Sequence, residues 1–347
     1  MLLILFVLCV LFLFSCAHEK SESIDALFVE VDSLRHSVLN SGEHLWGTPF
    51  AMCRMDSLIL VYDEKANENL FHLFDPMEPE YVTSFGRKGQ GSDEFIMPFD
   101  MKNYNDTMGT VYDYATKKLV SFCSNDVLDG HPEYILSYKD TFPNTVKLFA
   151  TRFNTIISFG FYDDAMFYLQ RNNQLLQKIG EFPYRDVNER KMDNRLKGMA
   201  YQGVLQNNIS NDRFVYAVNS AEIVYFYKID SLKVIPVCKY EFTYPNYKPV
   251  QRGNTRSAPV SSTNIKTFID VTATDDCVYM LYSGKNFKED GMRVFESNVL
   301  YVFDWNGKPL KKYLLDVPVT RLCVNKEGNA IYAFANIPET TLVKFEV

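Results

Sequence analysis

The chain has 347 residues, 47% hydrophobic and 15% aromatic, and a formal net charge of -7. That balance argues against a general nucleic-acid binder, which needs a basic surface to displace counterions from phosphate. The length fits one repeat-built all-β unit without demanding two domains, and 22 Tyr with 27 Phe suit broad pleated surfaces that pack on one another.

The chain opens with MLLILFVLCVLFLFSC, an apolar run too short for a comfortable membrane span of about 20 residues. Residues 1–15 are expected to be an export signal, the alternative being an uncleaved anchor. Leu13-Phe14-Ser15-Cys16 resembles the lipobox of bacterial lipoproteins, which implies lipidation of Cys16 after cleavage. No Lys or Arg precedes the run, and Phe14 is bulky for its place. Residues 16–23 then form a polar tether. The expected location is the cell envelope, at the outer membrane through the lipid anchor, on its periplasmic or surface side.

Residues 26–31, ALFVEV, read as a lone strand whose partner lies far along the chain. Residues 56–86 are the template for most of the chain: an apolar run (58–62), a turn, a second run (70–74) ended by Asp75-Pro76, and a third (81–85). The strand pair recurs at 110–114 with 118–123, 155–159 with 165–170, 213–218 with 223–229, 277–282 with 299–303, and 330–335 with 341–347. Such spacing fits blades of four strands. Asp304-Trp305-Asn306-Gly307 and Lys326-Glu327-Gly328-Asn329 are hairpin signals. The expected fold is all-β, a six-bladed β-propeller over residues 24–347, with 26–31 closing the ring on the C-terminal unit. A pair of β-sandwiches is the competing architecture; it would not require the repeated order within each unit.

The segment from Phe85 through Gly86, Gly89, Gly91, Glu94 and Phe95 is similar to the FGxxGxGPGEF stretch of the TolB-like six-bladed propeller lipoproteins of Bacteroides-type bacteria. Ser92 and Asp93 stand where that family has Pro-Gly. The resemblance implies an exported, lipid-anchored propeller and says little about ligand, since one fold hosts many functions.

Few residues carry a chemical signature. The glycines at 86, 89 and 91 lack the Lys-Ser/Thr pair and following helix of a phosphate loop, so they read as a turn. GxSxG, HExxH and EF-hand patterns are missing, and the cysteines at 53, 123, 238, 277 and 323 show no metal spacing. They read mostly as small buried hydrophobes, with one disulfide left open. No cofactor or metal is expected. His36, His44, His72 and His131 are widely spaced and read as structural. Asp-Ser/Thr-apolar triplets begin at Asp32, Asp56, Asp106 and Asp230; they resemble O-glycosylation sites of Bacteroides-type bacteria and equally suit turns.

Three connections, 86–94, 183–199 and 245–266, are too long for simple outer-to-inner links and should share one face. They carry eleven Lys and Arg against five Asp and Glu on an acidic chain. A basic rim is therefore expected, with Arg87, Lys88, Arg190, Arg195, Arg252 and Arg256 as ligand-binding candidates for an anionic glycan or acidic protein partner; plain solvated loop charge is the alternative. The expected function is binding. The competing class is a polysaccharide lyase or hydrolase with His, Tyr and Arg gathered on the axial face. No catalytic residue is assigned, and the oligomeric state is left open.

Overall fold

Residues 58–62 are apolar at every position because both faces of their strand are covered. Ile59 and Val61 pack on one side with Tyr332, Phe334 and Leu342; Leu60 and Tyr62 pack on the other with Val111, Val120 and Phe122. The same two-sided burial recurs around the molecule. In the computed structural model, which describes residues 22–347 except 41, 43, 67, 81, 92 and 254, it generates six packed interfaces between successive sheets. The expected signal at 1–15, Cys16 and most of the tether lie outside the described residues.

Each blade is a four-stranded antiparallel meander. The first holds Pro49–Met55, Leu58–Asp63, Asn69–Phe74 and Thr83–Lys88, with Glu94–Phe95 added in parallel at its edge. Three more meanders follow, over residues 98–139, 145–179 and 203–241. The last two blades are fused into one eight-stranded sheet by the long strand Pro309–Val324. Its first half pairs with Ser297–Asp304 as the outer strand of blade five, and its second half pairs with Ala330–Asn336 as the innermost strand of blade six.

An N-terminal strand closes the ring, but not the one expected. His36–Val38 pairs antiparallel with the C-terminal strand, His36 opposite Phe345 and Val38 opposite Val343. Val31–Leu34 lies parallel on the outer edge of blade five. Alternating apolar residues predict closure by the ALFVEV run; instead Asp25–Leu27 forms a 3-10 turn. Ile24 is buried between blades four and five, and Phe28 stacks on Tyr301 at 4.7 Å. Those side chains fill an inter-blade crevice.

The expected inner run, 58–62, is the second strand of its blade. A strand not read from the sequence, Pro49–Met55, lies inside it. The innermost strands are thus Pro49–Met55, Pro98–Asn103, Thr145–Ala150, Gly203–Asn207, Ile265–Ala273 and residues 319–324. All run from the face bearing the outer-to-inner connections, hereafter the mouth face, toward the opposite face. On the mouth face the Asp63 carboxylate accepts from the N–H groups of Gly47 and Thr48 at 2.6 and 2.7 Å, and Asp113 repeats this with Ile96 and Met97 at 2.6 and 3.1 Å. Each aspartate ties an incoming connection to its blade.

Of the three glycines expected to form a turn, Gly86 falls inside the strand Thr83–Lys88, and only Gly89 and Gly91 lie in the connection. Gly86 has φ 74°, and a Cβ there would lie 2.3 Å from the Phe71 ring. Gly89 instead makes room for the Glu94 carboxylate, which accepts from the Gly91 N–H at 2.8 Å. Of the glycosylation triplets, those at Asp56, Asp106 and Asp230 sit at hairpin turns, with Asp56 and Ser231 at φ 53° and 55°. The five described cysteines are all free thiols.

Candidate functional site

Charged residues interrupt the apolar pattern of the innermost strands, and the ring topology turns them toward the axis. Asp100 and Lys102 come from blade two, Lys147 from blade three, Lys266 and Asp270 from blade five and Arg321 from blade six. Alternation along a strand puts residues two apart on one face, so Asp100 and Lys102 share theirs. Lys102 Nζ lies 2.9 Å from Asp100 Oδ1 and donates to Gln206 Oε1 at 3.2 Å. Asp270 accepts from the backbone N–H groups of Val271 and Leu322 at 3.0 and 2.8 Å.

The three other cations make no ion pair with a carboxylate among the described residues. Lys147 Nζ donates to the Gly203 carbonyl at 2.8 Å and lies 5.8 Å from the centre of the Phe99 ring. Arg321 donates to the carbonyls of Phe50 and Thr320, with its guanidinium 5.4 Å from the Phe50 ring. Lys266 Nζ sits 5.5 Å from the Phe295 ring. Phe50 and Phe99 are 6.1 Å apart. All five residues fall early in their strands, at the mouth-face end, and form an aromatic-walled, cation-rich funnel.

Its electrostatics follow from burial and like charge. Burial, with Lys102 and Arg321 nearby, pulls Lys147 down to about 8 although Asp100 and Asp270 oppose the shift. Burial, then Lys147 and Arg321, brings Lys266 down to about 8. Burial raises Asp270 above the usual carboxylate range against the pull of Arg321. Such perturbed groups gathered in one place mark functional sites more often than chance. The opposite end of the axis is closed by a polar belt: Asn103 Nδ2 donates to the Arg54 carbonyl at 2.7 Å, Asn207 Nδ2 to Asn211 Oδ1 at 2.5 Å, and the cavity left there is about 30 Å³.

The five arginines and one lysine chosen from sequence are distributed differently. Arg190 reaches Glu181 at 3.2 Å, Arg195 reaches Asp163 at 2.6 Å, and Arg256 reaches Asp193 at 2.9 Å. Asp193 also caps the helix Asn194–Ala200, so Arg256 fastens the third long connection to the second. Arg87, Lys88 and Arg252 are exposed. Arg87 and Lys88 pair with Glu94–Phe95 at the edge of blade one, and no contact among the described residues joins them to the arginines of the other two connections. Lys266, counted among the loop charges, instead enters the funnel. The funnel residues themselves were missed, although an ionisable residue within an otherwise apolar strand, as in TVKLF around Lys147, is the signal that could have found them. The histidines lie elsewhere: His36 on the closing strand, His44 against His72, and His131 on an exposed turn.

Six meanders around a polar axis define a six-bladed β-propeller. The model of the TolB-like 6-blade propeller-like family matches residues 28–327, and the chain belongs to that family. No curated protein matches it in sequence. Among solved structures, a luciferin-regenerating enzyme aligns over 90% of this chain and 95% of its own, at 9% identity and TM-score 0.50. The Cps50 (Swd1) propeller domain of Myceliophteria thermophila covers 86% and 83% at 7% identity and TM-score 0.47. Regucalcin from Agrobacterium tumefaciens strain C58 covers 91% and 95% at 10% identity and TM-score 0.48. Likeness at these identities concerns the fold alone.

Proposed function

We propose that this propeller is a binding module whose ligand is an anion, a carboxylate- or sulfate-bearing glycan or an acidic segment of a partner protein, seated in the axial funnel. One observation carries the reading: Lys147, Lys266 and Arg321 converge at the mouth with no carboxylate in ion-pair contact among the described residues. Partly buried cations held together are costly, and an incoming anion relieves both their desolvation and their mutual repulsion. Phe50 and Phe99 offer apolar walls for the body of such a ligand.

The exposed Arg87, Lys88 and Arg252 act in this reading as a diffuse outer field that steers the anion inward. The chain is further proposed to be exported and held at the envelope by lipid on Cys16. The Ile24 N–H donates to Glu222 at 3.2 Å, in the link between the second and third strands of blade four, which lies at the mouth-face end. A tether leaving from there would keep the mouth near the membrane. Mass spectrometry of the mature amino terminus tests the anchor, and an unmodified Cys16 refutes it.

Calorimetric titration with oligogalacturonate, beside its neutral methyl ester, tests the ligand class. The proposal expects binding of the acid form, weakened by salt and by at least tenfold in Lys147→Gln and Arg321→Gln. Equal binding of acid and ester, or no effect of either substitution on the binding of any polyanion, contradicts it.

A further inference from the structure

We propose that the cleft between the third and fourth blades is a second ligand site, and that it takes a neutral saccharide. The cleft has a volume of about 690 Å³, within the range of small-molecule sites. It lies on the outer rim of the mouth face, and its lining shares no residue with the axial funnel. Its floor is formed by Tyr225 and Tyr227 of the strand Ile223–Asp230, and its sides by the segment following blade three and the outer strand of blade four.

Tyr227 is the residue that points to a ligand. Its ring is 6% exposed, stacked on Phe214 at 4.6 Å and edge-on to Phe167 at 5.5 Å. Its hydroxyl lines the cleft and makes no hydrogen bond among the described residues. That oxygen is the part of the residue that reaches solvent, so it is free to give and to accept a hydrogen bond from a molecule seated in the cleft. Gly180, at φ 68°, leaves the approach clear, since a Cβ there would stand 3.3 Å from that hydroxyl.

Beside it, Glu241 is a fixed acceptor: Oε1 receives the Tyr225 hydroxyl at 2.7 Å and Lys239 Nζ at 3.2 Å, and Oε2 receives the Tyr244 hydroxyl at 3.1 Å. Its carboxylate retains lone pairs for further donors. Tyr184 and Tyr244, both half-buried, provide flat phenol walls. The ionised side chains lining the cleft, Glu181 and Glu241 against Arg185 and Lys239, cancel. Ring faces for the apolar C–H side of a pyranose, fixed oxygen acceptors for its hydroxyls and no net charge together describe a neutral sugar, in contrast with the cation excess on the axis.

The test is calorimetry and saturation-transfer NMR on the purified protein with a panel of neutral di- and trisaccharides of gluco, galacto, manno and N-acetylated types. At least one should bind. Tyr227→Phe, which removes only the hydroxyl, should weaken that sugar about five- to tenfold; Tyr184→Ala, on a half-buried wall outside the core, should weaken it too, and Lys147→Gln should leave it unchanged. No binding across the panel, binding as tight as wild type by both tyrosine variants, or a loss confined to Lys147→Gln overturns the site.

Discussion

Lys102 Nζ and Asp100 Oδ1 lie 2.9 Å apart on one strand of the axis, and both side chains are almost wholly buried. Their pairing leaves the positive excess of the funnel to Lys147, Lys266 and Arg321. Removing one member of a buried pair strands the other, at a cost of about 3–5 kcal/mol. Asp100→Asn is therefore expected to lower stability in urea unfolding by roughly that amount and to tighten polyanion binding at the same time. Unchanged stability would show that Lys102 finds another counter-charge.

A second expectation concerns acid. His72 is buried, its Nδ1 lies 2.8 Å from Ser84 Oγ, and its ring is 4.6 Å from His44 and 5.6 Å from Trp46. Burial, with His44 beside it, pulls His72 down to about 4 against the weaker pull of Asp63; burial lowers His44 as well. Between pH 6.5 and 4 the unfolded chain takes up a proton that the folded chain refuses. Stability is thus complete above pH 6.5 and falls as the pH drops toward 4, by on the order of 3 kcal/mol from His72. His72→Gln should flatten this part of the stability curve, as read by urea melts at several pH values.

Ring closure rests on three residues. His36–Val38 covers the edge of the C-terminal strand, and an uncovered edge of that length invites pairing with another molecule. Removing residues 1–38 is expected to produce self-association and a lower melting temperature by light scattering and calorimetry. A truncated protein that stays monomeric and melts unchanged would contradict closure by this strand.

The long connections separate two kinds of arginine. Arg256 holds Asp193 at 2.9 Å, so Arg256→Glu sets two carboxylates together at a helix cap and should destabilise the docked connections by about 1–2 kcal/mol. Arg252 is exposed, and Arg252→Glu should alter only the salt dependence of anion association, with stability within about 0.5 kcal/mol of wild type. Thermal melts beside association rates distinguish the two effects.

The fold was legible because hairpins advertise themselves. Apolar runs such as 213–218 and 223–229, punctuated by turn residues, gave the second and third strands of every blade close to where they lie. The innermost strands were not legible for a physical reason: they pack on both neighbouring blades, but register shifts near their mouth-face ends break the alternation and turn charged side chains to the axis. Strands such as Thr145–Ala150 and Pro98–Asn103 therefore mix Lys and Asp with apolar residues and show no clean period. The same mixture hid the funnel. Loop charges were visible but misleading, since Arg190, Arg195 and Arg256 are drawn to carboxylates that only tertiary structure brings near.

The most direct measurement of the axial site is proton linkage. Lys147 and Lys266, both brought down to about 8, are partly neutral at pH 8, and an anion bound beside them restores their charge. Oligogalacturonate binding at pH 8, followed by calorimetry in two buffers of different ionisation enthalpy, should show uptake of up to about one proton. Uptake should fall in Lys147→Gln and vanish when Lys266→Gln is added. Binding without proton uptake, or uptake that survives both substitutions, would contradict an anion site at the mouth of the axis.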